Sequence, residues 1–537
     1  MTPEARAATT IQQVTMAAAA QHGDLPAVVD GDLELDFQEL LEAARVFGAG
    51  LVAREVRTGD RVALWAPNSA LWIIAMLGLY QAGCVLVPIN TRFKGAEAAD
   101  ILERSDARAL VTVTDFLGAD YVAALEEVGF DLSSLAALVV ADGPVWGDAL
   151  SWEDFLDGAD ATTLAEAARR AEAAGPDDES DILFTSGTTG RAKGVVQTHA
   201  RTLAVANDWA EMTGIAAGDR YLMANPFFHM FGLKAGILPS MLVGATMYPE
   251  AVFDAGSVLE RIERERITVL PGAPTIYQSM LEHPDLPRRD LSSLRVAITG
   301  AADIPVELIR RVQQELPFQV LLTGYGLTEA GTASATVIGD DAQTVATTVG
   351  RARPTFEIRI VDGSGEEVDH GETGEILVRG ASVMSHYLDD PEATAEALSP
   401  EGWLHTGDLG RLDDAGNLQI VGRSKDMFIV GGFNAYPAEI ESMLLEHPAV
   451  ADVAVIGIPD ERLGEVGMAF VVPRQGTEAG EGEVIEWARD RMANYKAPRR
   501  VAFVEELPIN ATGKVVKTEL RALADLLDTT DAPDGGI

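Results

Sequence analysis

Residues 181–194, DILFTSGTTGRAKG, concentrate side chains suited to binding phosphate. The stretch opens with the apolar run Ile182-Leu183-Phe184, which predicts a buried strand. It then turns into a loop holding Gly187, Gly190 and Gly194, the hydroxyls of Thr185, Ser186, Thr188 and Thr189, and the cations Arg191 and Lys193. Glycines permit positive φ and let backbone approach a ligand closely. Hydroxyls donate hydrogen bonds and Lys193 adds positive charge, so the loop predicts a cradle for phosphate oxygens. The Walker spacing GxxxxGK[ST] is absent. Taken alone, such a loop also reads as a flexible surface turn rich in Gly and Thr; further segments downstream bear on that choice.

The elements that must position this loop are legible in the periodicity. Residues 30–330 alternate helical stretches such as DFQELLEAARVFGAGLVA with strand stretches such as RVALWAP, CVLVPIN, ALVTVT, RYLMANP, ITVLPG and RVAITG. That alternation predicts an α/β fold with two layered βαβ subdomains and largely parallel sheets. Residues 345–423 change character: FEIRIVD, GEILVRG and GNLQIVG are separated by Gly/Asp turns, which predicts a small β-barrel or antiparallel module. Helix and strand patterns then mix over AEIESMLLEHP, VADVAVIGIPD, GMAFVVP, EVIEWARDRM and RVAFVEELP. The expected division is a large N-terminal domain over 1–423, a small α+β domain over 424–522, and a polar tail over 523–537, its last dozen residues disordered. No short-period repeat is evident, which argues against a solenoid.

Bulk properties narrow the function classes. With 537 residues the chain is longer than one domain. Its formal charge of −42 argues against nucleic acid and anionic membrane surfaces as partners. Lysines are scarce, at positions 94, 193, 234, 425, 496, 514 and 517, and three of these fall inside the motifs discussed here. The single cysteine, Cys84, excludes an intrachain disulfide and a Cys-based zinc site. An acidic residue among the first charges, and no strong apolar run at the start, argue against a signal peptide and for a cytoplasmic protein. The most apolar window, residues 71–90, is interrupted by Gly78, Gln81, Gly83 and Pro88 and predicts a helix followed by a buried strand, not a membrane span.

The downstream segments are NPFFHMFG (225–232), TGAADIP (299–305), TGYGLTEAG (323–331), GWLHTGDLG (402–410), GRSKDMFIVGGFNAYPAEIE (422–441) and PINATGK (508–514). In order and spacing, together with the phosphate loop, they resemble the adenylate-forming superfamily of acyl-CoA synthetases, stand-alone adenylation domains and luciferases. The resemblance runs from about residue 20 to about 522. Within the superfamily the chain looks most like actinobacterial acyl-CoA synthetases of the type that activates the ring-derived propionate of steroid catabolism.

The resemblance implies two steps: a carboxylate attacks the α-phosphate of ATP, releasing pyrophosphate, and the CoA thiol then attacks the acyl-adenylate. ATP, Mg²⁺ and coenzyme A are therefore the expected cofactors. By carry-over, Lys193 with Thr185, Ser186, Gly187, Thr188, Thr189 and Gly190 holds the β- and γ-phosphates. Thr328 bonds the α-phosphate, and Glu329 is a hard oxygen ligand for Mg²⁺. Ala301 and Tyr325 border the nucleotide, Tyr325 offering a flat face to adenine; by itself Tyr325 also reads as a core aromatic. Asp408 accepts from the ribose hydroxyls, although alone it also reads as a turn residue after Gly407. Arg423 is a second ribose or phosphate contact. Lys514 reaches from the small domain to the carboxylate and α-phosphate, whereas Lys517 reads as a solvated lysine. Lys425 marks the inter-domain pivot, and Gly431 and Gly432 line the pantetheine tunnel after domain rotation. Arg462, Arg474, Lys496, Arg499 and Arg500 are candidate contacts for the CoA nucleotide, each reading equally as part of a solvated basic face.

By the same resemblance the acyl pocket involves His229 to Ala235, Gly300-Ala301-Ala302 and Gly324. His229 gates the pocket, contacts the carboxylate, or is a satisfied core histidine. Lys234, in the apolar run FGLKAGILPSML, either snorkels to solvent or donates to a polar group on the substrate tail, such as a ring ketone. The expected acid is an alicyclic, steroid-ring-derived propionate; a medium- or long-chain fatty acid is the alternative. An amino-acid-activating protein would want a carboxylate near NPFFHMFG, and a carrier-protein ligase an insertion after the hinge; neither feature is present. A non-catalytic nucleotide- or acyl-binding module is the rival of another class, against which the full set Lys193, Glu329, Asp408, Arg423 and Lys514 argues. The PINATGK context also resembles sites modified by lysine acetyltransferases, and a homo-oligomer is a further expectation.

Overall fold

The computed structural model describes residues 7–185, 192–300, 306–430, 433–460, 462–477, 479–509 and 515–530. One eight-stranded sheet runs, edge to edge, His386–Tyr387, Lys193–Thr198, Glu179–Thr185, Val85–Pro88, Arg61–Trp65, Ala107–Val113, Ala137–Asp142 and Leu150–Ser151. From Glu179–Thr185 onward its neighbours are parallel. Such strands are covered on both faces and read as near-continuous apolar runs, and Val85–Pro88 is buried at every position. A nine-stranded sheet is centred on Val320–Leu327, Val296–Thr299, Val269–Gly272, Arg220–Met223 and Thr246–Pro249, also parallel, with antiparallel strands added at both edges. This is the layered α/β architecture that the alternation predicts.

Local chemistry sets the helix starts. Phe37–Ala53 begins with a capping box, in which Asp36 accepts from the Glu39 N–H and Glu39 accepts from the Asp36 N–H. Ala70–Gln81 is capped by Ser69 and buried on almost every side, and the buried strand Val85–Pro88 follows it, as expected for the apolar window. Among the described residues no helix is long and apolar enough to cross a membrane. Cys84 sits between these two elements, buried, with its thiol donating to the Arg57 carbonyl at 3.6 Å. Burial, with Asp60 nearby, pushes that thiol up to about 12.

The antiparallel module predicted at 345–423 consists of Phe356–Val361, Gly374–Gly380, Leu404–Leu412 and Leu418–Arg423. Among the described residues no ladder joins the first of these strands to the last, so of the two expected forms the module takes that of an antiparallel sheet and not a barrel. Its strands are short and separated by Gly/Asp turns, a pattern that specifies hairpins and says nothing about closure.

Past Arg423 a second core forms around Phe433–Ala435, Phe428–Val430, Gly464–Pro473 and Val450–Asp460, with Arg500–Phe503 parallel to Gly464–Pro473. The helix Lys517–Thr530 enters the stretch expected to be a polar tail from residue 523. Leu520, Leu523, Ala524 and Leu527 recur at helical spacing and pack on this core, which the polar residues between them conceal in the sequence. Lys517 is likewise not a solvated lysine. Its ammonium pairs with Glu441 at 3.1 Å, and both side chains are largely buried.

Candidate active site

The phosphate-loop motif is the turn of an antiparallel hairpin. Glu179–Thr185 pairs with Lys193–Thr198, and the register places Thr185 opposite Lys193 and Phe184 opposite Gly194. Ser186, Gly187, Thr188, Thr189, Gly190 and Arg191 lie outside the described residues. The base of the turn is fastened by Arg104, which donates to the Ala192 carbonyl at 2.7 Å and lies over the Phe184 ring. Gly194 does not act as expected: its φ is not positive, and a Cβ there would lie 3.1 Å from both Ile182 Cγ2 and Leu388 Cβ. Its smallness serves strand packing.

Lys193 Nζ lies 4.8 Å from the centroid of the Tyr387 ring. The same tyrosine donates from its hydroxyl to Glu329 Oε1 at 2.9 Å, and the Met384 N–H donates to the Glu329 carbonyl at 2.6 Å. Thr328 and Glu329 occupy the turn between Val320–Leu327 and Gly331–Ala335, at the carboxyl end of a parallel strand, where open α/β sheets bind ligands. Among the described residues no group of three or more His, Cys, Asp or Glu could hold a metal by itself. A lone carboxylate suits Mg²⁺, which takes few protein ligands and relies on phosphates and water.

Three of the residues expected at the nucleotide meet around Asp408. Asp408 and Arg423 are cross-strand partners, and the Arg423 guanidinium Nε meets Asp408 Oδ1 at 3.0 Å. Tyr325, itself nearly buried, donates its hydroxyl to Asp408 Oδ2 at 2.6 Å. Burial and then the Asp408 charge hold the Tyr325 phenol well above the ordinary tyrosine value, so it stays a donor. Each carboxylate oxygen has two lone pairs, so Asp408 can still accept from a ligand. The role of Tyr325 as an anchor for Asp408 has no signal in the sequence, because the two residues are far apart in the chain.

Gly300 and Gly324 follow the paired residues Thr299 and Thr323 on adjacent strands. A Cβ on Gly300 would lie 2.7 Å from the Gly324 carbonyl, so glycine is required for this approach. Ala301 and Ala302 lie outside the described residues. His229 caps the helix that starts at Met230, its Nδ1 accepting from the Phe231 N–H at 3.2 Å. The segment before it is held by Asn68, which donates to the carbonyls of Met223 (3.0 Å) and Asn225 (2.9 Å) and accepts from the Phe227 N–H (2.8 Å). Asn68 belongs to the other sheet layer and escaped the sequence reading.

Lys234 corrects an expectation. It does not snorkel: it is 2 % exposed and its Nζ meets Asp181 Oδ1 at 2.6 Å, Asp181 being fully buried. Asp181 Oδ2 also accepts from Ser180 (2.6 Å) and Thr202 (2.6 Å). Burial pulls the lysine below its usual value and the Asp181 charge opposes this. Lys234 lies in the one-turn π-helix Leu233–Ile237, set between Met230–Gly232 and Leu238–Val243. With an internal partner present, a ketone on the substrate is not needed to explain this lysine.

At the expected pivot, partial desolvation and then the neighbouring Arg423 pull Lys425 below the usual lysine value. Gly431, Gly432 and Lys514 lie outside the described residues. Of the candidate CoA cations, Arg474 donates to the carbonyls of Pro448 (3.1 Å) and Val450 (3.0 Å), and Lys496 pairs with Glu439 at 2.5 Å. Arg499 feels the charges of Arg489, Arg462 and Asp460.

Comparison with known proteins gives the family. The model of the AMP-binding enzyme family matches residues 16–388, and that of the AMP-binding enzyme C-terminal domain matches 439–514. A 3-[(3aS,4S,7aS)-7a-methyl-1,5-dioxo-octahydro-1H-inden-4-yl]propanoyl:CoA ligase of Rhodococcus jostii is 51% identical over 96% of this chain and 98% of its own length. The ligase of the same name from Mycobacterium tuberculosis is also 51% identical, over 93% of this chain and 96% of its own. Among solved structures, the anthranilate CoA ligase AuaEII in complex with anthranoyl-AMP superposes with a TM-score of 0.87 at 29% identity, covering 97% of this chain and 98% of that one. With both family models matched in order along the chain, it belongs to the AMP-binding enzyme family of adenylate-forming enzymes.

Proposed function

We propose that the protein is an ATP-dependent acyl-CoA synthetase whose acid is an alicyclic propionate bearing a fused-ring ketone. The observation that carries this reading is 51% identity, along almost the whole chain, to two ligases named for one such bicyclic dioxo-propanoyl group. In the first step the acid's carboxylate attacks the α-phosphate of ATP and pyrophosphate leaves. Both reactants are anionic, so positive charge and preorganised donors dominate the barrier. Lys193 and the loop hydroxyls hold the β- and γ-phosphates, Thr328 bonds the α-phosphate, and Asp408, steadied by Tyr325 and Arg423, accepts from the ribose hydroxyls. Glu329 would hold Mg²⁺, which when bound neutralises phosphate charge. Lys514 supplies charge at the reacting carboxylate during this step only. Rotation about Lys425 then removes it and brings Gly431 and Gly432 to the pantetheine thread. Arg462 and Arg499 meet the CoA nucleotide. Acetylation of Lys514 would cancel its charge and stop adenylation.

A pyrophosphate-release assay over carboxylic acids, from butyrate to palmitate and including cyclic keto-propionates, tests the reading. The keto-propionates are expected to give the highest kcat/KM. A preference for palmitate would replace the alicyclic assignment with a fatty-acid one. Absence of pyrophosphate release with every acid would leave only a binding module.

A further inference from the structure

Tyr387 touches both of the charged groups that the phosphate and metal chemistry requires, yet it lies in none of the glycine-rich motifs. It belongs to the two-residue strand His386–Tyr387, which pairs antiparallel with Lys193–Thr198 so that Tyr387 stands opposite Val195. Lys193 lies two residues before Val195 and therefore on the same face of the sheet, within reach of a large ring on the neighbouring strand. The observed contact follows: the lysine Nζ is 4.8 Å from the ring centroid, within cation–π range. From the other side the phenol donates to Glu329 Oε1 at 2.9 Å. The turn carrying Tyr387 is fastened at both ends. The Leu388 N–H donates to the Gly194 carbonyl at 2.7 Å, and the Met384 N–H donates to the Glu329 carbonyl at 2.6 Å. Tyr387 is buried, and burial together with the Glu329 charge raises its phenol above the ordinary tyrosine value.

We propose that Tyr387 is a positioning residue that holds Lys193 and Glu329 apart and aimed, the cation on its ring and the carboxylate on its hydroxyl, so that neither cancels the other before Mg·ATP arrives. A lysine and a glutamate brought to one aromatic ring attract each other and would otherwise pair. Among the described residues neither has an ion-pair partner. The phenol engages one oxygen of Glu329, which fixes the carboxylate's orientation and leaves the other oxygen for a cation. The two halves of the tyrosine thus have separable tasks: the hydroxyl serves the metal, and the ring serves the lysine that meets the triphosphate. The inference rests on the adenylation reading above.

Calorimetric binding of ATP to the full-length chain, with graded Mg²⁺ and separately in EDTA, distinguishes these tasks. Tyr387→Phe keeps the ring and loses the hydroxyl. It is expected to need roughly 10- to 100-fold more Mg²⁺ for half-saturation, with ATP affinity in EDTA unchanged. Tyr387→Leu removes both and is expected to weaken binding in EDTA as well, about five-fold. In a Glu329→Gln background the Tyr387→Phe substitution is expected to leave the Mg²⁺ requirement where it was, because the oriented carboxylate is gone. Melting temperatures without nucleotide report any loss of packing, and if Tyr387→Leu fails to fold, Tyr387→Phe decides alone. A Tyr387→Phe variant with the wild-type Mg²⁺ requirement overturns the inference, as does an effect that persists undiminished in Glu329→Gln. Wild-type protein that binds no Mg·ATP would instead overturn the adenylation reading, and this inference with it.

Discussion

Lys234 and Asp181 form a buried pair whose value depends on both members being present. Removing one partner of such a pair leaves an uncompensated charge and typically costs about 3–5 kcal/mol, while neutralising both costs far less. Lys234→Met is therefore expected to lower the denaturation midpoint strongly. Lys234→Met combined with Asp181→Asn should recover much of the loss, since the amide oxygen of the second substitution still accepts from Ser180 and Thr202. Equal midpoints for the single and double variants would contradict this. A second buried group makes stability depend on pH. Burial lowers His199 to about 4, and it is the first residue of the helix His199–Thr213, where a positive charge is also disfavoured by the helix dipole. Because the unfolded histidine titrates near 6.5, the unfolded chain binds more protons between the two values. The stabilisation is thus complete above pH 6.5 and is lost as pH falls toward 4, by roughly 3 kcal/mol in all. Denaturant titrations across this range should show the decline, and His199→Gln should flatten it.

At the scale of elements, the site is built from strand ends and tight approaches. Gly194 decides how closely Glu179–Thr185, Lys193–Thr198 and the turn before Leu388 can pack. Gly194→Ala is expected to cost about 1–2 kcal/mol through overpacking, read as a lower melting temperature. If the glycine instead served the nucleotide, KM for ATP would rise with the melting temperature unchanged. The strands and helices were legible because their periodicities are local: Ile182–Phe184, Val85–Pro88 and Phe37–Ala53 lie where the pattern places them. The Tyr325–Asp408, Tyr387–Glu329 and Lys234–Asp181 contacts were not, since each joins residues that only the assembled sheets bring together. Lys234 shows the cost of local reading. In an apolar run a lysine suggests snorkelling, and nothing in FGLKAGIL announces an aspartate one sheet away. Lys517 misled in the same way, its partner Glu441 lying on another helix.

For the whole molecule, the two large sheets share ties that make them a single platform: Asn68 reaches from one to Met223 and Asn225 near the other, and Lys234–Asp181 crosses between them. The smaller C-terminal core, separate from these, is the part proposed to move. Lys514→Ala is expected to lose pyrophosphate release by ~100- to 1000-fold while still converting supplied acyl-adenylate and CoA to thioester. Lys425→Pro restricts the pivot backbone and should spare adenylation while blocking thioester formation. If Lys514→Ala lowers both half-reactions equally, a single fixed arrangement would have to perform both, and the alternation scheme fails.

Cys84 bears on how that second half-reaction can be watched. The chain has no other cysteine, and this one lies buried with its proton firmly held. Thiolate, not thiol, attacks disulfides, so the folded protein should stay colourless with a chromogenic disulfide reagent and release one equivalent only on denaturation. Thiol loss during turnover then reports CoA acylation with no protein background. The same inertness keeps oxidised CoA from capturing the folded enzyme as a mixed disulfide, so substrate sulfur and protein sulfur never exchange.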